Sequence, residues 1–578
     1  MDKAARWNIP PSDSQPVAAL ACALGIQAPA ARVLWNRGYR DAESAGRFLR
    51  PDFSHLFDPY LLRDMDAAAA RLHRAVTGGE KILLYGDYDV DGTMSVVILK
   101  KAIELAGGSA GFHVPHRLRD GYGMRPEVVE RAAEEGVSLI ISVDTGIRAA
   151  QVVTHAREFG IDCIITDHHL PEEELPPAVA VLNPNRADCT YPEKNLCGAA
   201  VAFKLIQALL GRAGWADARI RRLSESFLKL VAIATVADVV PLTGENRTIV
   251  KCGLDGLTSV RNAGLRALLD KAGFAEGSAP SAGQVAFRVA PRINAAGRMA
   301  NAADVIELFE TADPSRAADI AAKLHCLNED RRSVEQDIAQ AIVEECARIP
   351  VTGDQFGLVF CGQDWHRGVV GIVASRVVER FHRPAFVLSA DRASGLAQGS
   401  GRSIRAFHLL EALESMADLF ERFGGHRQAA GVTLAIDRVE EFRRRFNAYS
   451  AERLTPADLI PQVDLDSAID FHEVNDRSIG EILTLAPFGS GNPAPLFVVR
   501  GAEVAGEPVV WKENHLRLSL RQNGRSLQLK AWNFAARSEE LEARSRVDAV
   551  LCFEDDPYSA SRGYPGWSAV LKDVRRAG

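Results

Sequence analysis

The sequence predicts two α/β lobes joined by a long helix and followed by a small C-terminal β-barrel. Three observations support this fold class. Short apolar strands alternate with helices over residues 64–166 and again after residue 356, which is typical of parallel sheets. Residues 315–348 carry many charges and contain no proline or glycine. Five short strands separated by polar turns occupy residues 496–575, and this pattern is typical of a small barrel.

The first lobe is predicted from an ordered series of elements that follows a helical N-terminal extension at residues 1–50. The run DAAAARLHRAV favours a helix at 64–77, which Gly78 and Gly79 end. The alternation that comes next indicates a parallel sheet. Its predicted elements are strand 81–86, helix 93–106, strand 137–143, helix 148–158, strand 161–166, helix 198–211 and helix 225–240.

The long helix is predicted at 315–348 as a connector, and a second lobe begins near Phe356. That lobe contains a helix at 368–381 and a strand at 385–390. The composition changes around 451–463, and the five strands beyond it favour an OB-fold. The predicted boundaries of extension, first lobe, connector, second lobe and barrel are 1–50, 51–300, 301–350, 351–450 and 451–578.

The composition is that of a globular protein, with 578 residues, 47% hydrophobic and 25% charged. No apolar run approaches the ~20 residues of a membrane-spanning helix, and the N-terminus has no apolar signal core. We therefore expect a cytoplasmic protein with no membrane association. None of the nine cysteines forms a C-x-x-C pair, which disfavours a zinc ribbon. The net charge is −7, so a polyanionic partner must be held by local basic patches or metal ions.

Carboxylates and imidazoles follow three consecutive predicted strands at the point where each strand ends. Open α/β sheets bind ligands at this edge. Helix capping, for which aspartate is favoured, is the alternative explanation, but it does not account for the adjacent histidines. The residues are Asp87, Asp89 and Asp91 after the first strand, Asp144 after the second, Asp167, His168 and His169 after the third, and Asp238 after an apolar helix.

Oxygen and imidazole ligands without thiolates indicate Mn²⁺ or Mg²⁺ rather than structural zinc. Six or more candidate ligands exceed what one ion with open positions needs, so we predict two divalent cations ~3.5–4 Å apart. Such a pair suits phosphoester hydrolysis, because the ions activate water and stabilise the charge that builds on phosphate oxygens. The cations would also offset the repulsion among the aspartates.

The sequence resembles the DHH phosphoesterase superfamily, and within it the bacterial exonucleases that act on single strands. The resemblance begins with YGDYDVDG, SVDTG and DHH and covers most of the chain in order. DHH alone is a weak match, whereas the ensemble is highly specific. The further segments are ATVADVVPL at 234–242, PRINAAGRM at 291–299, WHRGVVGIVASR at 365–376, GSGRS at 399–403, FGGHRQAAG at 423–431 and PFGSGNPAP at 487–495.

The resemblance implies that the first lobe is the catalytic domain, the second closes over the substrate, and the barrel binds nucleic acid. It gives one ion to Asp87, Asp89 and Asp144, and the other to Asp91, Asp144, His168 and Asp238. His169 would face the scissile phosphate and neutralise or protonate it, and Asp167 would orient the histidines. The residues assigned to catalysis are His169, Asp89, Asp144 and Asp167.

Several segments are candidates for holding the phosphates of a strand. GSGRSIR offers exposed backbone N–H groups and guanidinium groups, and FGGHRQAAG permits close backbone approach; ordinary glycine-rich turns are the alternative for both. PRINAAGRM is predicted as a partly buried turn with arginines that face the cleft or pair with the long helix. The candidates are Arg292, Asn294, Arg298, His366, Ser400, Arg402, Ser403, Gly425 and His426.

The resemblance implies a 5′-to-3′ exonuclease that releases mononucleotides from single-stranded DNA in recombination and repair. It also implies a helicase and a single-strand-binding protein as partners. One alternative is a phosphodiesterase of short RNAs or cyclic dinucleotides, which the long barrel segment disfavours. The other is a non-catalytic replication scaffold, which the retained metal ligands disfavour.

Overall fold

The structure, a computed structural model, describes residues 5–11, 14–117, 119–121 and 123–577. The chain forms two compact units. One unit consists of Phe57–Val240 and Cys252–Ile460, and the other of Met1–Leu56, Pro241–Lys251 and Pro461–Gly578. The predicted fold class of α/β lobes, long helix and small barrel is confirmed.

The N-terminal segment is helical, as the sequence predicts, and belongs to the same unit as the barrel. Val33, Leu34 and Phe48 from this segment are part of the barrel's hydrophobic core. The first strand of the segment pairs in parallel with residues 462–464. Its elements are β1 (Arg6–Asn8), α1 (Ser14–Leu24), α2 (Ala28–Asn36) and α3 (Ala42–Leu49).

The first lobe contains the predicted parallel sheet and two strands, β3 and β6, that the sequence analysis missed. The helix after the first carboxylates begins three residues earlier than predicted, at Val90, because Asp89 caps it. The elements are α4 (Met65–Gly78), β2 (Ile82–Tyr85), α5 (Val90–Leu105), β3 (Ala110–His113), α6 (Pro126–Glu134), β4 (Leu139–Val143), α7 (Ala150–Glu158), β5 (Asp162–Thr166), β6 (Ala180–Leu182), α8 (Gly198–Arg212) and α9 (Asp217–Ala237).

The five strands of this sheet run in the order β3-β2-β4-β5-β6, and every neighbouring pair is parallel. Every residue of β4 is buried, which is why the strands are continuous apolar runs rather than alternating patterns. The carboxyl ends of β2, β4 and β5 therefore lie side by side at one edge of the sheet.

The long helix is observed at Pro314–Arg348, one residue longer than predicted. Its early residues Ala317, Ile320 and Leu324 are buried, and its later residues Ile338 and Ile342 join the core of the second lobe. It therefore connects the two lobes by packing into both. The elements up to this helix are α10 (Gly244–Gly256), α11 (Ala263–Lys271), α12 (Ala282–Gln284), a π-helical turn (Val285–Val289), α13 (Ala290–Met299), α14 (Ala303–Glu310) and α15 (Pro314–Arg348).

The second lobe is built on a five-stranded mixed sheet in the order β10-β11-β9-β8-β7. The predicted strands at 356 and 385 and the helix at 368 are present within two residues of their predicted starts. Three further strands were missed. The elements are β7 (Leu358–Gln363), α16 (Val370–Phe381), β8 (Ala385–Asp391), β9 (Leu396–Arg402), α17 (Leu409–Glu414), β10 (Arg422–Gly425), β11 (Ala429–Ala435) and α18 (Val439–Arg453).

The C-terminal strands close into a barrel in which β14, β18, β19, β17 and β16 form one circuit and β16 returns to β14. These are the five predicted strands, and the parallel β17–β19 pair is the exception among antiparallel neighbours. The elements are β12 (Gln462–Asp464), β13 (Ser467–Ala468), α19 (Asp476–Leu483), β14 (Phe497–Val504), β15 (Val509–Trp511), β16 (His515–Gln522), β17 (Arg525–Ala531), β18 (Arg546–Asp555), α20 (Pro557–Ala560) and β19 (Trp567–Arg576).

Within the described ranges, no single helix is long and apolar enough to cross a bilayer. One pair bent by 112°, Gln15–Leu24 with Ala28–Asn36, meets the length and composition criteria only when the two helices are taken together.

Candidate active site

The structure brings all six predicted metal ligands together at the carboxyl edge of the parallel sheet. Three groups have ligand atoms that all lie within 4.8 Å of one another. One group lies on the β2–β4 side, and the other two share His168. We call the six predicted ligands the metal cage: Asp87, Asp89, Asp91, Asp144, His168 and Asp238. The groups are Asp87, Asp89 and Asp144; Asp91, His168 and Asp238; and Asp144, His168 and His169.

His168 occupies the centre of the cage. Its Nε2 atom lies 3.2 Å from Asp144 Oδ1, 3.7 Å from Asp238 Oδ2 and 3.8 Å from Asp91 Oδ2. Asp144 thus belongs to one group through its carboxylate neighbours and to another through His168. The bridging role that the resemblance implies for Asp144 stays a prediction, and this shared membership is the geometry that it requires.

The cage has the chemistry of a divalent-cation site. Four of its buried polar atoms, Asp87 Oδ1, Asp144 Oδ1, His168 Nε2 and Asp238 Oδ2, have no hydrogen-bond partner. Leaving such atoms unsatisfied costs about 1–3 kcal/mol each, and a cation would satisfy several of them at once. Oxygen and imidazole donors without sulfur fit Mn²⁺ or Mg²⁺.

Electrostatics in the cage favour neutral carboxyl groups unless a cation is present. Burial, reinforced by the neighbouring carboxylates, raises the pKa of Asp87 and of Asp144 well above their usual range. The same causes raise the pKa of Asp238 to about 9. Burial lowers the pKa of His168, which favours the neutral imidazole that can ligate a metal. Cation binding must therefore displace protons from the carboxyl groups.

Local backbone structure holds two of the aspartates in place. Both carboxylate oxygens of Asp91 accept hydrogen bonds from the first N–H groups of α8, at 2.6 Å from Gly198 and 2.8 Å from Ala199. A helix N-terminus stabilises negative charge. Asp144 has a left-handed backbone, with φ of 60°, which aspartate tolerates better than most residues.

Asp167 is not one of the cage residues and instead contacts both histidines through one carboxylate oxygen. It is fully buried, and its Oδ1 atom accepts hydrogen bonds from the backbone N–H groups of His168 and His169. The same oxygen lies 2.7 Å from Nδ1 of His169. Burial raises the pKa of Asp167, but the hydrogen bond with the His169 ring, the charge of His169 and a hydrogen bond from the backbone N–H of Ile147 together lower it. The geometry fits the predicted orienting role.

The segment PRINAAGRM forms helix α13, so its prediction as a turn is wrong. Pro291 occupies the first helical turn, where it is tolerated. Asn294 accepts a hydrogen bond of 3.2 Å from the backbone N–H of Val90, which ties α13 to the loop of the metal cage. Partly buried Arg298 donates to the Gly368 carbonyl at 3.0 Å, while Arg292 donates to the Arg288 carbonyl.

The segment GSGR is an interior strand, β9, so its expected exposed turn is also wrong. Its backbone pairs with β8 on one side and β11 on the other. The glycines serve packing, because a Cβ on Gly399 would lie 2.1 Å from the Val387 carbonyl and one on Gly401 would lie 2.4 Å from the Phe386 ring. Arg402 donates to the carbonyl of Gly401. Ser403 donates to the Phe407 carbonyl.

The remaining candidates, Gly425, His426 and His366, belong to the second lobe. His426 lies in the turn between β10 and β11, after Gly425, whose φ is +148°. Burial, and then the positive charges of Arg148 and His169, lowers the pKa of His426. His366 accepts a hydrogen bond of 3.1 Å from the N–H of Gly368.

A cavity of 380 Å³ lies between the cage loop and the second lobe. We call it the arginine cavity. Tyr88 and Arg117 line it from the first lobe, and Arg117 lies over the Tyr88 ring at 4.8 Å. Its remaining lining residues are Arg367, Gln398, Gly399, Ser400, Arg422, Phe423, Gly424, Gly431, Val432 and Thr433.

Sequence reasoning named Ser400 but missed the three arginines of this cavity. Tyr88 could have been found, because it stands between two predicted ligands, whereas no local signal marks Arg117. Asn183 and Asn185 were also missed. They follow β6, and the strand-end argument that located the aspartates would have found them if β6 had been recognised.

Models of three protein families match the chain in order. The DHH family, N-terminal domain, matches residues 81–235. The DHHA1 domain matches residues 353–452, and the RecJ OB domain matches residues 465–563. These matches confirm the predicted resemblance and assign one family to each lobe and one to the barrel.

Relatives and solved structures extend the similarity to nearly the whole of this chain. The chain is 37% identical over 546 residues to single-stranded-DNA-specific exonuclease RecJ of Bacillus subtilis (strain 168), covering 94% of this chain and 68% of the relative. It matches the crystal structure of RecJ from Thermus thermophilus in complex with Mn²⁺ with a TM-score of 0.83 and 31% identity over 99% of this chain and 79% of that one. The Mg²⁺ complex from the same organism gives a TM-score of 0.78 and 29% identity over 99% and 78%.

Asp144→Asn should separate stability from function. The substitution removes a carboxyl group that burial forces to bind a proton in the metal-free protein, at a cost in stability. It keeps a residue type that tolerates the left-handed backbone. We expect the EDTA-treated variant to melt at a higher temperature than EDTA-treated wild type. We also expect a smaller stabilisation by Mn²⁺ and a loss of nuclease activity of about 10³-fold.

Thermal melting with EDTA and with Mn²⁺ measures both effects. Asp330→Asn, at an exposed position of α15, is the matched control. A metal-free variant that melts below wild type, or a full response to Mn²⁺, would contradict the role of Asp144.

Gly198→Ala should disrupt the cage through one methyl group. A Cβ at this position would lie 2.6 Å from Asp144 Cβ and 2.8 Å from its Oδ1. Either Asp144 or the start of α8 must move, so we expect Mn²⁺ affinity to fall at least ~10-fold. Calorimetric titration with Mn²⁺ measures this.

The control is Gly211→Ala on the same helix, where a Cβ meets no atom within 4 Å. We expect it to bind Mn²⁺ like wild type. Equal affinities for the two variants would show that α8 does not position the cage.

Proposed function

The chain belongs to the RecJ family of single-stranded-DNA-specific exonucleases, and from this premise we propose that it degrades single-stranded DNA in the 5′-to-3′ direction. The products would be mononucleotides, and the reaction would depend on two divalent cations held by the metal cage. The direction and the products are carried over from the resemblance.

The proposal rests on the position of the arginine cavity directly beside the metal cage. Tyr88 lines the cavity and stands between two cage residues, Asp87 and Asp89. The charge of Arg117, another lining residue, partly offsets the burial that raises the pKa of Asp87. Positive side chains thus reach the edge of a buried acidic cluster, an arrangement that suits a phosphodiester placed between guanidinium groups and cations.

The chain's residues would have two roles in the reaction: binding the phosphates and transferring a proton. When bound, the cations supply activation of water and neutralisation of the charge on phosphate oxygens. Arg117 and Arg367 would bind phosphates on the cavity side. Against the effect of burial, the hydrogen bond with Asp167 and the cage carboxylates raise the pKa of His169. A raised pKa increases the protonated fraction of the ring relative to a free imidazole, and the protonated ring would donate to the leaving oxygen.

Two alternatives have less support. A phosphodiesterase of short RNAs or cyclic dinucleotides would not need the barrel, which matches the RecJ OB domain over residues 465–563. A non-catalytic replication scaffold would not need the ligand groups, which are complete here.

Partners and cellular context follow from the resemblance alone. We propose that a helicase supplies unwound strands, because an enzyme restricted to single strands cannot enter a closed duplex. We further propose contact with a single-strand-binding protein, action in recombination and repair, and a cytoplasmic location. Co-purification with a tagged form of this chain from its native cells would test the partners.

The activity is tested with 5′- or 3′-labelled single strands and matched duplexes, with Mn²⁺ or EDTA. We expect 5′-labelled single strands to release labelled mononucleotide from the first time point, and EDTA to stop the reaction. Earlier release of the 3′ label would contradict the direction. Faster hydrolysis of cyclic dinucleotides than of long strands would favour the superfamily alternative.

Arg367→Gln should weaken binding of the strand more than it slows the chemical step. Arg367 lines the arginine cavity, and its Nη1 donates to Gln398 at 2.5 Å. Removing one phosphate contact should raise KM by about 3–10-fold and lower the slope of log affinity against log salt by about 0.7. Fluorescence anisotropy with labelled oligonucleotides at several salt concentrations measures the slope.

Arg392→Gln is the matched control, because Arg392 is exposed on the same lobe and does not line the cavity. If both variants have the wild-type slope, Arg367 does not contact the strand.

A further inference from the structure

A short turn, Asn183-Pro184-Asn185, follows β6, an edge strand of the parallel sheet. We infer that Asn183 and Asn185 are positioning residues that fix the backbone of His168 and His169 and thereby set the affinity of the cation site to which His168 belongs. The inference deepens the proposed function, because it rests on the proposed metal site.

The two asparagines donate to the carbonyl groups of the histidine pair. Nδ2 of Asn183 lies 2.8 Å from the carbonyl oxygen of His169. Nδ2 of Asn185 lies 2.6 Å from the carbonyl oxygen of His168. The first asparagine therefore binds the second histidine and the second asparagine binds the first, as expected for two antiparallel chain segments.

Asp167 supplies the complementary half of this arrangement. Its Oδ1 atom accepts from the backbone N–H of His168 at 2.7 Å and from that of His169 at 3.1 Å. Three side chains thus bind all four polar backbone groups of the two histidines. The histidine backbone can move only if these side chains move with it.

The turn that carries the asparagines is itself rigid. Oδ1 of Asn183 accepts a hydrogen bond of 2.7 Å from the N–H of Asn185, so one side chain closes the turn and binds a histidine carbonyl. Proline fixes φ at position 184, and the Pro184 carbonyl accepts from Nζ of Lys194 at 2.9 Å. Asn183 is completely buried, so its amide is oriented by packing as well.

These hydrogen bonds do more than satisfy the backbone. The histidine pair is partly exposed, and water could satisfy its carbonyl groups at little cost. Buried amides give a fixed direction, which water does not. Neutral amides also add no charge beside the carboxylates of the cage, whereas a lysine or arginine in the same place would compete with the cations.

The consequence concerns one cation site rather than both. His168 belongs to the group with Asp91 and Asp238, whereas the group of Asp87, Asp89 and Asp144 contains no histidine. Loss of partners that orient a metal ligand typically costs 10–100-fold in affinity. Loosening the histidine backbone should therefore weaken the site of His168 and spare the other.

Asn185→Ala in the full-length protein tests the inference. Asn185 is only partly buried, so the variant should fold. Asn195→Ala is the matched control, because Asn195 is exposed and its side chain donates to Glu193 at 3.3 Å. The probe is Mn²⁺ alone, followed by calorimetric titration and by the electron paramagnetic resonance signal of spin-coupled Mn²⁺ pairs.

We expect Asn185→Ala to weaken one of two Mn²⁺ sites by about 10–100-fold and to lose the spin-coupled signal at low Mn²⁺. The other site, and the melting temperature in EDTA, should match those of Asn195→Ala. Identical titrations for the two variants would overturn the inference. Equal weakening of both sites together with a lower metal-free melting temperature would also overturn it, because this outcome indicates a general structural role.

Asn183→Leu is a second variant that keeps a similar side-chain volume and removes the donor to the His169 carbonyl without adding charge. We expect at least as large a loss at the same site. If this buried variant does not fold, the result for Asn185→Ala decides alone. The titrations need no substrate, so wild-type protein that binds two Mn²⁺ but cuts no DNA would contradict only the proposed function.

Discussion

Mutual repulsion among buried carboxylates is the constraint around which the first lobe is built. Asp87, Asp89, Asp91 and Asp144 lie together where three parallel strands end, and burial makes each negative charge more costly than it would be in water. The protein offsets this cost locally at Asp91, where the N-terminus of α8 donates two hydrogen bonds. The unpartnered oxygens elsewhere in the cage leave the remaining compensation to divalent cations.

Close backbone contacts keep these side chains from moving apart. Gly198 lies against Asp144, and a Cβ on Gly297 of α13 would lie 2.3 Å from the Tyr88 carbonyl. Asn294, three residues before Gly297, binds the first N–H of α5. The helices around the sheet are therefore fitted directly to the loop and the first turn of α5, which together carry the first three aspartates. Stiffness of this kind is what an arrangement of like charges requires, because relaxation would otherwise separate them.

The neighbours of the metal cage differ in charge according to what they contact. Neutral asparagine amides and the Asp167 carboxylate bind the histidine backbone, where extra positive charge would compete with a cation. Arg117, Arg367 and Arg422 line the arginine cavity and give it a local positive charge. In a protein with a net charge of −7, a local basic patch of this kind is what attraction of a polyanion requires.

The glycine-rich segments of the second lobe show how a sequence pattern can mislead. GSGR suggests a phosphate-binding turn, but Gly399 and Gly401 lie in an interior strand and leave room for the Val387 backbone and the Phe386 ring. In the first lobe, PRINAAGRM contains proline and glycine and still forms a helix, because the proline lies in the first turn and the glycine faces Tyr88. In both cases the reason for the glycine is a neighbour that is distant in the sequence.

The sequence by itself determined the two α/β lobes, the long helix, the five barrel strands and the six cage residues. Each of these is marked by a local pattern. The strands are apolar runs and the long helix is uninterrupted. The cage residues are acids or a histidine placed directly after strands or, for Asp238, after an apolar helix. Only the tertiary structure decided which atoms meet across the chain: the α8 N–H groups on Asp91, the asparagines after β6 on the histidine pair, and the arginine cavity. These contacts join residues up to several hundred positions apart, and local periodicity carries no information about which distant segments pack together.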